Sequence, residues 1–340
     1  MTDFKTYLRK ITDGAGLSET EAEAAFESLM SGTATPTQAS AFLMGLSVRG
    51  ETIAELTGAA RIMRAKALKV DAPPGAIDTC GTGGDGAGTF NISTAVAIVT
   101  AACGVPVAKH GNRAMSSKSG TADVLAALGV NLDATPEMTE NALRNANIGF
   151  LFAQRHHSAA KYVAPVRQEL GIRTIFNLVG PLSNPAGANR QLLGVFAQKW
   201  IVPMVETLAR LGSERAWVVH GCDGLDEITT TGPTFVAELN MNSINTFEIV
   251  PEDAGLKRAK LDDLKGGDIK TNASALKSLL HGRSGPYQDI VVLNVGAALV
   301  IADKVSSIRE GAEMALNAIM SGKAAQTLES LVAISHGRKP

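Results

Sequence analysis

The chain has 340 residues, 45% of them apolar and 19% charged. That length suggests about two domains with a sizeable buried core. Lys and Arg (32) nearly balance Asp and Glu (33), and a net charge of −1 argues against a protein whose main partner is nucleic acid, though not against a local basic pocket. Glycines number 34 and aromatics are only 4%, a composition suited to Gly-built ligand loops. Three cysteines in no CxxC spacing point away from a disulfide scaffold and towards a reducing compartment. The N-terminus lacks a secretory apolar region. The longest uncharged, mostly apolar runs, Ala95–Ala108 and Ile290–Ala302, have 14 and 13 residues. Both fall short of the ~20 that span a bilayer. The expectation is a soluble cytoplasmic protein with no membrane partner.

The first 70 residues read as helices. Ser18-Glu-Thr-Glu21, Thr35-Pro-Thr-Gln38 and Thr52-Ile-Ala-Glu55 are capping boxes, the second with Pro at the first helical position. Pro73-Pro74-Gly75 then punctuates the chain, and strands alternate with helices. Strands are expected at Ala76–Cys80, Val105–Lys109, Ile148–Ala153, Leu192–Ala197, Ala216–His220 and Phe247–Val250. Helices are expected over Ser93–Cys103, from Thr121 as cap to Leu128, from Thr135-Pro136, over Ser158–Leu170, and from Ser306 onward. Asn177–Pro185 reads as a loop that could return to the helical part. Alternating units imply a mainly parallel sheet covered by helices, an α/β fold with a small all-helical N-terminal domain. The domains divide as 1–72 and 73–340, with a returning segment near 160–185.

Gly81-Thr-Gly-Gly-Asp-Gly86 has GxGxxG spacing after a strand, but a dinucleotide site also needs an acid about 20 residues on. From Gly86 to Ala122, 37 residues, there is none, and no GxxxxGK[ST] occurs. The same window holds Lys109, His110, Arg113 and Lys118 among Asn, Ser and Thr donors. Backbone amides of a Gly-rich loop, a helix N-terminus and basic side chains make an anion cradle, fit for a multiply phosphorylated small ligand. The alternative is a plain flexible surface stretch. Asp226-Glu227 follows the Ala216–His220 strand in a Gly-containing loop. Adjacent carboxylates there suit Mg²⁺ completed by substrate phosphates. A solvated acidic turn is the bland reading, and Asp223 is either a ligand or a turn former. His156-His157 has a catalytic and a packing reading, with packing favoured; Arg167 is either a bidentate carboxylate clamp or, on pattern, a surface arginine; the cysteines read as small buried residues.

Asp78-Thr-Cys-Gly-Thr-Gly-Gly-Asp85, Asn91-Ile-Ser-Thr94, Lys109-His-Gly-Asn-Arg-Ala-Met-Ser-Ser117, Tyr162-Val-Ala-Pro-Val-Arg-Gln-Glu-Leu-Gly-Ile-Arg-Thr-Ile-Phe-Asn177 and His220-Gly-Cys-Asp-Gly-Leu-Asp-Glu227 together resemble the anthranilate phosphoribosyltransferase family. The resemblance covers nearly the whole chain in the family's order. It implies a nucleoside phosphorylase-type fold, and transfer of phosphoribose from 5-phosphoribosyl 1-diphosphate to anthranilate in tryptophan biosynthesis. It also implies two Mg²⁺ ions and a homodimer through the helical domain. By resemblance, Gly81, Gly84, Asp85, Thr89, Asn91, Ile92, Ser93 and Thr94 hold the donor. Lys109, His110, Gly111, Asn112, Arg113, Ala114, Met115, Ser116 and Ser117 wrap its diphosphate, and Thr121 adds a contact. Ser93, Asp226 and Glu227 ligate metal. Gly81, Asn112 and Arg167 contact anthranilate, with Lys109, Asn112 and Arg167 the residues closest to the catalytic work.

Two departures from the family stand out. His156-His-Ser-Ala-Ala-Lys161 lacks the usual Pro and Met, and Leu125-Ala-Ala-Leu-Gly129 lacks the usual Glu. Rival readings are a pyrimidine nucleoside phosphorylase on a similar fold and a non-catalytic relative that binds nucleic acid.

Overall fold

The computed structural model describes residues 3–114 and 119–339. Four helices come first: α1 (Phe4–Thr12), α2 (Glu19–Met30), α3 (Pro36–Arg49) and α4 (Ile53–Ala65). Reciprocal side-chain and backbone bonds at Ser18, Thr35 and Thr52 start the last three, as the capping pattern requires. Gly58 lets α4 cross α2 closely, because a methyl there would lie 2.7 Å from the Ala22 Cβ and from the Glu19 carbonyl oxygen.

The alternating part runs β1 (Ile77–Gly81), α5 (Ile92–Ala102), β2 (Val107–Gly111), α6 (Thr121–Ala127), α7 (Pro136–Asn145), β3 (Ile148–Phe152) and α8 (Ala153–His156). Next come α9 (Ala164–Leu170), α10 (Ile175–Val179), β4 (Arg190–Gly194), α11 (Ile201–Arg210), β5 (Arg215–Gly221), β6 (Thr234–Asn240) and β7 (Ser243–Ile249). Four helices close the chain: α12 (Ile269–Leu280), α13 (Pro286–Ile301), α14 (Ile308–Met320) and α15 (Lys323–Ser335). The seven strands lie in the order β3-β2-β1-β4-β5-β6-β7. The first five are parallel, and β6 and β7 form an antiparallel hairpin on the β5 side.

The chain moves outward from β1 to β3, then restarts at β4 on the other side. That reversal between β1 and β4 is a topological switch point, where α/β sheets bind ligands outside their carboxyl ends. β1 matches β4 along five residues but pairs with β2 at Ile77 opposite Val107. Further along, side chains bridge the β1–β2 gap. His110 N donates to Asp78 Oδ1 (3.2 Å), and Lys109 Nζ donates to the Thr79 carbonyl (2.5 Å).

One hydrophobic cluster lies between the sheet and α5, α13, α14 and α15. A second joins the N-terminal helices to the opposite face, where Phe26, Phe42 and Phe176 share a core with Met204, Leu208 and Val218. The segment 158–182 packs against α2, α3 and α4.

Several expectations need correction. Asn177–Pro185 is not a plain loop, since α10 and a 3-10 turn (Gly180–Leu182) occupy most of it. Ser158–Leu170 is a 3-10 turn followed by α9, broken at Val163. β6 has no counterpart among the expected strands, and β7 begins at Ser243, before Phe247. Thr121 is the first helical residue of α6 and Gly120 the cap. The apolar run Ile290–Ala302 is most of α13, buried almost throughout. No helix among the described residues is long and apolar enough to cross a membrane.

Candidate active site

The carboxyl ends of β1, β2, β4 and β5 meet at one place. β1 ends at Gly81 and β4 at Gly194, and a Cβ at either position would collide with Asp226. Both strand ends are therefore Gly because the acidic loop passes directly over them. Thr82 N donates to the Gly194 carbonyl (2.9 Å), which ties the Gly-rich loop to β4. Gly83, Gly84, Gly86 and Gly88 all take positive φ, the conformation that turns backbone amides towards one side of such a loop.

The acid pair is drawn into this loop. Gly83 N donates to Asp226 Oδ2 (2.7 Å), and Ser93 N, in the first turn of α5, donates to Glu227 Oε1 (3.1 Å). Burial is the main force raising both carboxyls. Asp226 is pushed up to about 7, helped by the charge of Asp85, and Glu227 lies well above the usual range, helped by Asp226. Lys109 is the buried cation among them. Its Nζ reaches Ser93 Oγ (3.4 Å), and burial lowers its pKa while Asp78 opposes that. Asp78 is itself raised to about 6 by burial, and Asn184 Nδ2 donates to it (2.7 Å).

Buried acids that repel one another, with one lysine to balance them, form a natural seat for a hard cation. Among the described residues no three His, Cys, Asp or Glu side chains converge at metal-ligand spacing. The set present, Asp226 and Glu227 with the Ser93 hydroxyl beside them, fits an ion that takes its other ligands from substrate phosphates and water. Asp223 is a turn former, since Leu225 N, Thr229 Oγ1 and Thr231 Oγ1 all donate to its carboxylate.

The donor-loop residues fall around this centre. Asp85 accepts from Ala87 N (3.1 Å), Thr89 bridges to Lys265, and Thr94 Oγ1 donates to Thr121 Oγ1 (3.3 Å). Asn91 Oδ1 accepts from Ser119 Oγ (3.1 Å) and from Asn272 Nδ2 (2.9 Å). Ile92 is buried under the loop. Lys109, His110 and Gly111 are the end of β2. Asn112, Arg113 and Ala114 follow, and Arg113 pairs with Asp123 (2.8 Å). Ala114 N donates to the same carboxylate (3.0 Å). Met115, Ser116 and Ser117 lie outside the described residues.

Arg167 comes from the returning segment rather than from the strand-end loops. It is not a solvated surface arginine. Its guanidinium lies 5.1 Å over the Phe176 ring, and burial lowers its pKa. His156 and His157 are both buried. His156 Nδ1 meets the Leu68 carbonyl (2.7 Å), and His157 Nε2 lies 3.2 Å from His110 Nε2. Of the cysteines, Cys80 is buried, Cys103 half-buried and Cys222 exposed, so the expectation of burial fails at Cys222.

Pattern reading missed Asp78, Asn184, Arg173 and Asn272. Arg173 Nη2 donates to the Gly84 carbonyl (2.9 Å), and its guanidinium covers Phe196 at 4.5 Å. Arg173 lies inside a quoted motif, so its signal is present in the sequence. Asn272 reaches Asn91 across 181 positions of chain, and no local pattern marks it.

Comparison with known proteins accounts for this arrangement. The helical bundle domain of a glycosyl transferase family matches residues 5–67, and the family's a/b domain matches residues 73–325. The chain is 60% identical over 338 residues to anthranilate phosphoribosyltransferase of Parvibaculum lavamentivorans, covering 99% of each protein. It superposes on the crystal structure of that enzyme from Thermus thermophilus with a TM-score of 0.92 and 45% identity, covering 97% of this chain and 99% of the other. The Saccharomyces cerevisiae enzyme in complex with PRPP and Mg is similar at 28% identity and a TM-score of 0.89, and in complex with 4-fluoroanthranilate at 27% and 0.88, each comparison covering 98% of both chains. Relatedness of this extent over the whole length, carried on a shared fold, means that the chain belongs to the anthranilate phosphoribosyltransferase family of glycosyl transferases.

Proposed function

We propose that the protein transfers the phosphoribosyl group of 5-phosphoribosyl 1-diphosphate to the amine of anthranilate, releasing diphosphate. The observation that carries this reading is the joint between acid and loop. Asp226 and Glu227 are bonded to the amides of Gly83 and Ser93, beside buried Lys109. That is a cation seat and an anion cradle in one place. Gly81, Gly84, Asp85, Thr89 and Asn91–Thr94 hold the donor, and Lys109–Ser117 with Thr121 surround its diphosphate. Asp226, Glu227 and Ser93 hold Mg²⁺, two ions in this reading. Bound there, Mg²⁺ supplies positive charge to the departing diphosphate.

The chain's own groups do the rest. Lys109, carried by β2, and the loop amides that Asp226 and Glu227 do not occupy stabilise charge that develops on the leaving group. The ribose centre passes through an oxocarbenium-like state with no protein nucleophile. Anthranilate's amine is neutral at pH 7, so orientation matters more than deprotonation. Arg167 binds the acceptor's carboxylate and aims the amine, with Gly81 and Asn112 beside it.

The division into a helical domain of residues 1–72 and an α/β domain of 73–340, joined by a returning segment near 160–185, belongs to the same reading. So does a homodimer through the helical domain. Met44 and Val48, exposed one turn apart on α3, give it an apolar contact. Free cysteines suit a reducing cytoplasm.

The test is a fluorescence assay that follows loss of anthranilate emission. Loss that needs 5-phosphoribosyl 1-diphosphate and stops with excess chelator is the expected result. Full turnover in chelator overturns the Mg²⁺ role. No turnover, with phosphorolysis of thymidine or uridine instead, overturns the acceptor.

A further inference from the structure

We infer that Asn272, in the first turn of α12, is a positioning residue for the donor. It fixes which end of the Asn91 side-chain amide faces the bound phosphates. The inference rests on the reading that Asn91 is part of the donor site. Asn272 is buried, and both ends of its amide are committed. Oδ1 accepts from Gly267 N (2.7 Å) and Nδ2 donates to Asn91 Oδ1 (2.9 Å). Asn91 Oδ1 also accepts from Ser119 Oγ (3.1 Å), while Asn91 Nδ2 donates to the Ser119 carbonyl (3.4 Å). A primary amide carries two N–H donors, so among the described residues one N–H of Asn91 is left to meet an anion. Were this amide to flip, its carbonyl oxygen would face the phosphates instead.

The mount of Asn272 is rigid. Gly266 N donates to the Gly88 carbonyl (2.9 Å), Phe90 N to the Leu264 carbonyl (3.1 Å), and Thr89 bridges to Lys265. A Cβ on Gly266 would press on Asn272 Oδ1 and the Thr89 carbonyl, both at 2.7 Å. The segment 261–272 is thus fastened to the donor loop on one side and presents Asn272 to it on the other. Through Asn91 the same chain of bonds reaches Ser119, at the far end of the basic loop.

This role has a signed consequence. Asp at position 272 keeps the shape and the acceptor for Gly267 N, so a purely structural role makes Asn272→Asp milder than Asn272→Ala. Positioning reverses the order, because a carboxylate draws the Asn91 N–H away from the phosphates. The experiment measures KM for both substrates, and kcat, in Asn272→Ala, Asn272→Asp, Asn91→Ala and the two double variants. The expected result for Asn272→Ala is a rise in donor KM of roughly three- to tenfold, the loss of one or two net hydrogen bonds. Asn272→Asp should be worse, anthranilate KM at saturating donor should stay within about twofold, and neither change should add to Asn91→Ala. Additive effects, or an Asp variant milder than the Ala one, overturn the inference. A penalty for Asp that persists without Asn91 means simple charge repulsion and overturns it too. An Asn91→Ala variant with an unchanged donor KM refutes the donor-site reading instead. If the Asn272 variants do not fold, Ser119→Ala tests the other end of the chain, and a donor KM that it leaves unmoved counts against the inference.

Discussion

In the proposed reaction Arg167 meets the acceptor's carboxylate, a group that transfer leaves unchanged. Its contribution is therefore mostly uniform binding, which sets KM rather than kcat. In the same proposal Asp226 works where charge develops. Arg167→Ala should raise the anthranilate KM by roughly 10- to 100-fold, the worth of a charge-assisted bidentate contact, with kcat nearly held. Asp226→Asn keeps an oxygen for Gly83 N but loses the charge, and should lower kcat by about 10²- to 10³-fold. Steady-state kinetics in both substrates decides this, and exchanged phenotypes would refute the role assignment. At this scale the sequence is readable where partners are neighbours in the chain, as in Gly81–Gly88. It is silent where they are not. Arg167 reads as a surface residue because nothing in its helix pattern announces Phe176 beneath it.

Among the elements, α2 and α4 depend on Gly58. Alanine in a helix interior is worth about 1 kcal/mol over glycine, so an isolated helix would gain from Gly58→Ala. Here the methyl would press on Ala22 Cβ and the Glu19 carbonyl at 2.7 Å and on Glu23 N at 2.9 Å. Overpacking costs about 1–3 kcal/mol, so after the propensity gain the net expectation is a loss of up to about 2 kcal/mol in urea unfolding. A stabilised variant would show that the two helices do not approach this closely. The same balance of local and tertiary forces explains which elements are legible. The capping boxes at Ser18, Thr35 and Thr52 act within four residues, and they mark their helices from sequence alone. α10 escapes notice because Ile175, Phe176, Leu178 and Val179 are all buried, leaving no polar face to show a helical period. The first half of β7 escapes for the opposite reason: residues 243–246 are exposed and read polar, held in place by pairing with β6.

For the molecule as a whole, acid stability is set by buried groups that refuse or retain protons. His157 is held down to about 4 by burial and by its neighbour His156, and His110 lies well below its ordinary value for the same main reason. Both are free to protonate near 6.5 once the chain unfolds. From pH 6.5 down to 4 the unfolded state thus binds more protons at these sites, and stability falls as pH falls. Asp78 and Asp226 oppose this. Their folded carboxyls are raised, so they favour the native state in acid and lose that contribution as pH climbs through 6 and 7. The opposing slopes mask each other in the wild-type curve, and a difference between two proteins separates them. His157→Asn removes one proton-refusing group and leaves the carboxylates in place. Its deficit relative to wild type at pH 7 should shrink by about 2 kcal/mol at pH 4.5, the amount that a shift from 6.5 to 4 stores over that interval. Urea midpoints at the two pH values measure it. A deficit that does not change with pH would mean that His157 titrates normally in the folded protein, and that burial beside His110, 3.2 Å away, does not hold its ring neutral.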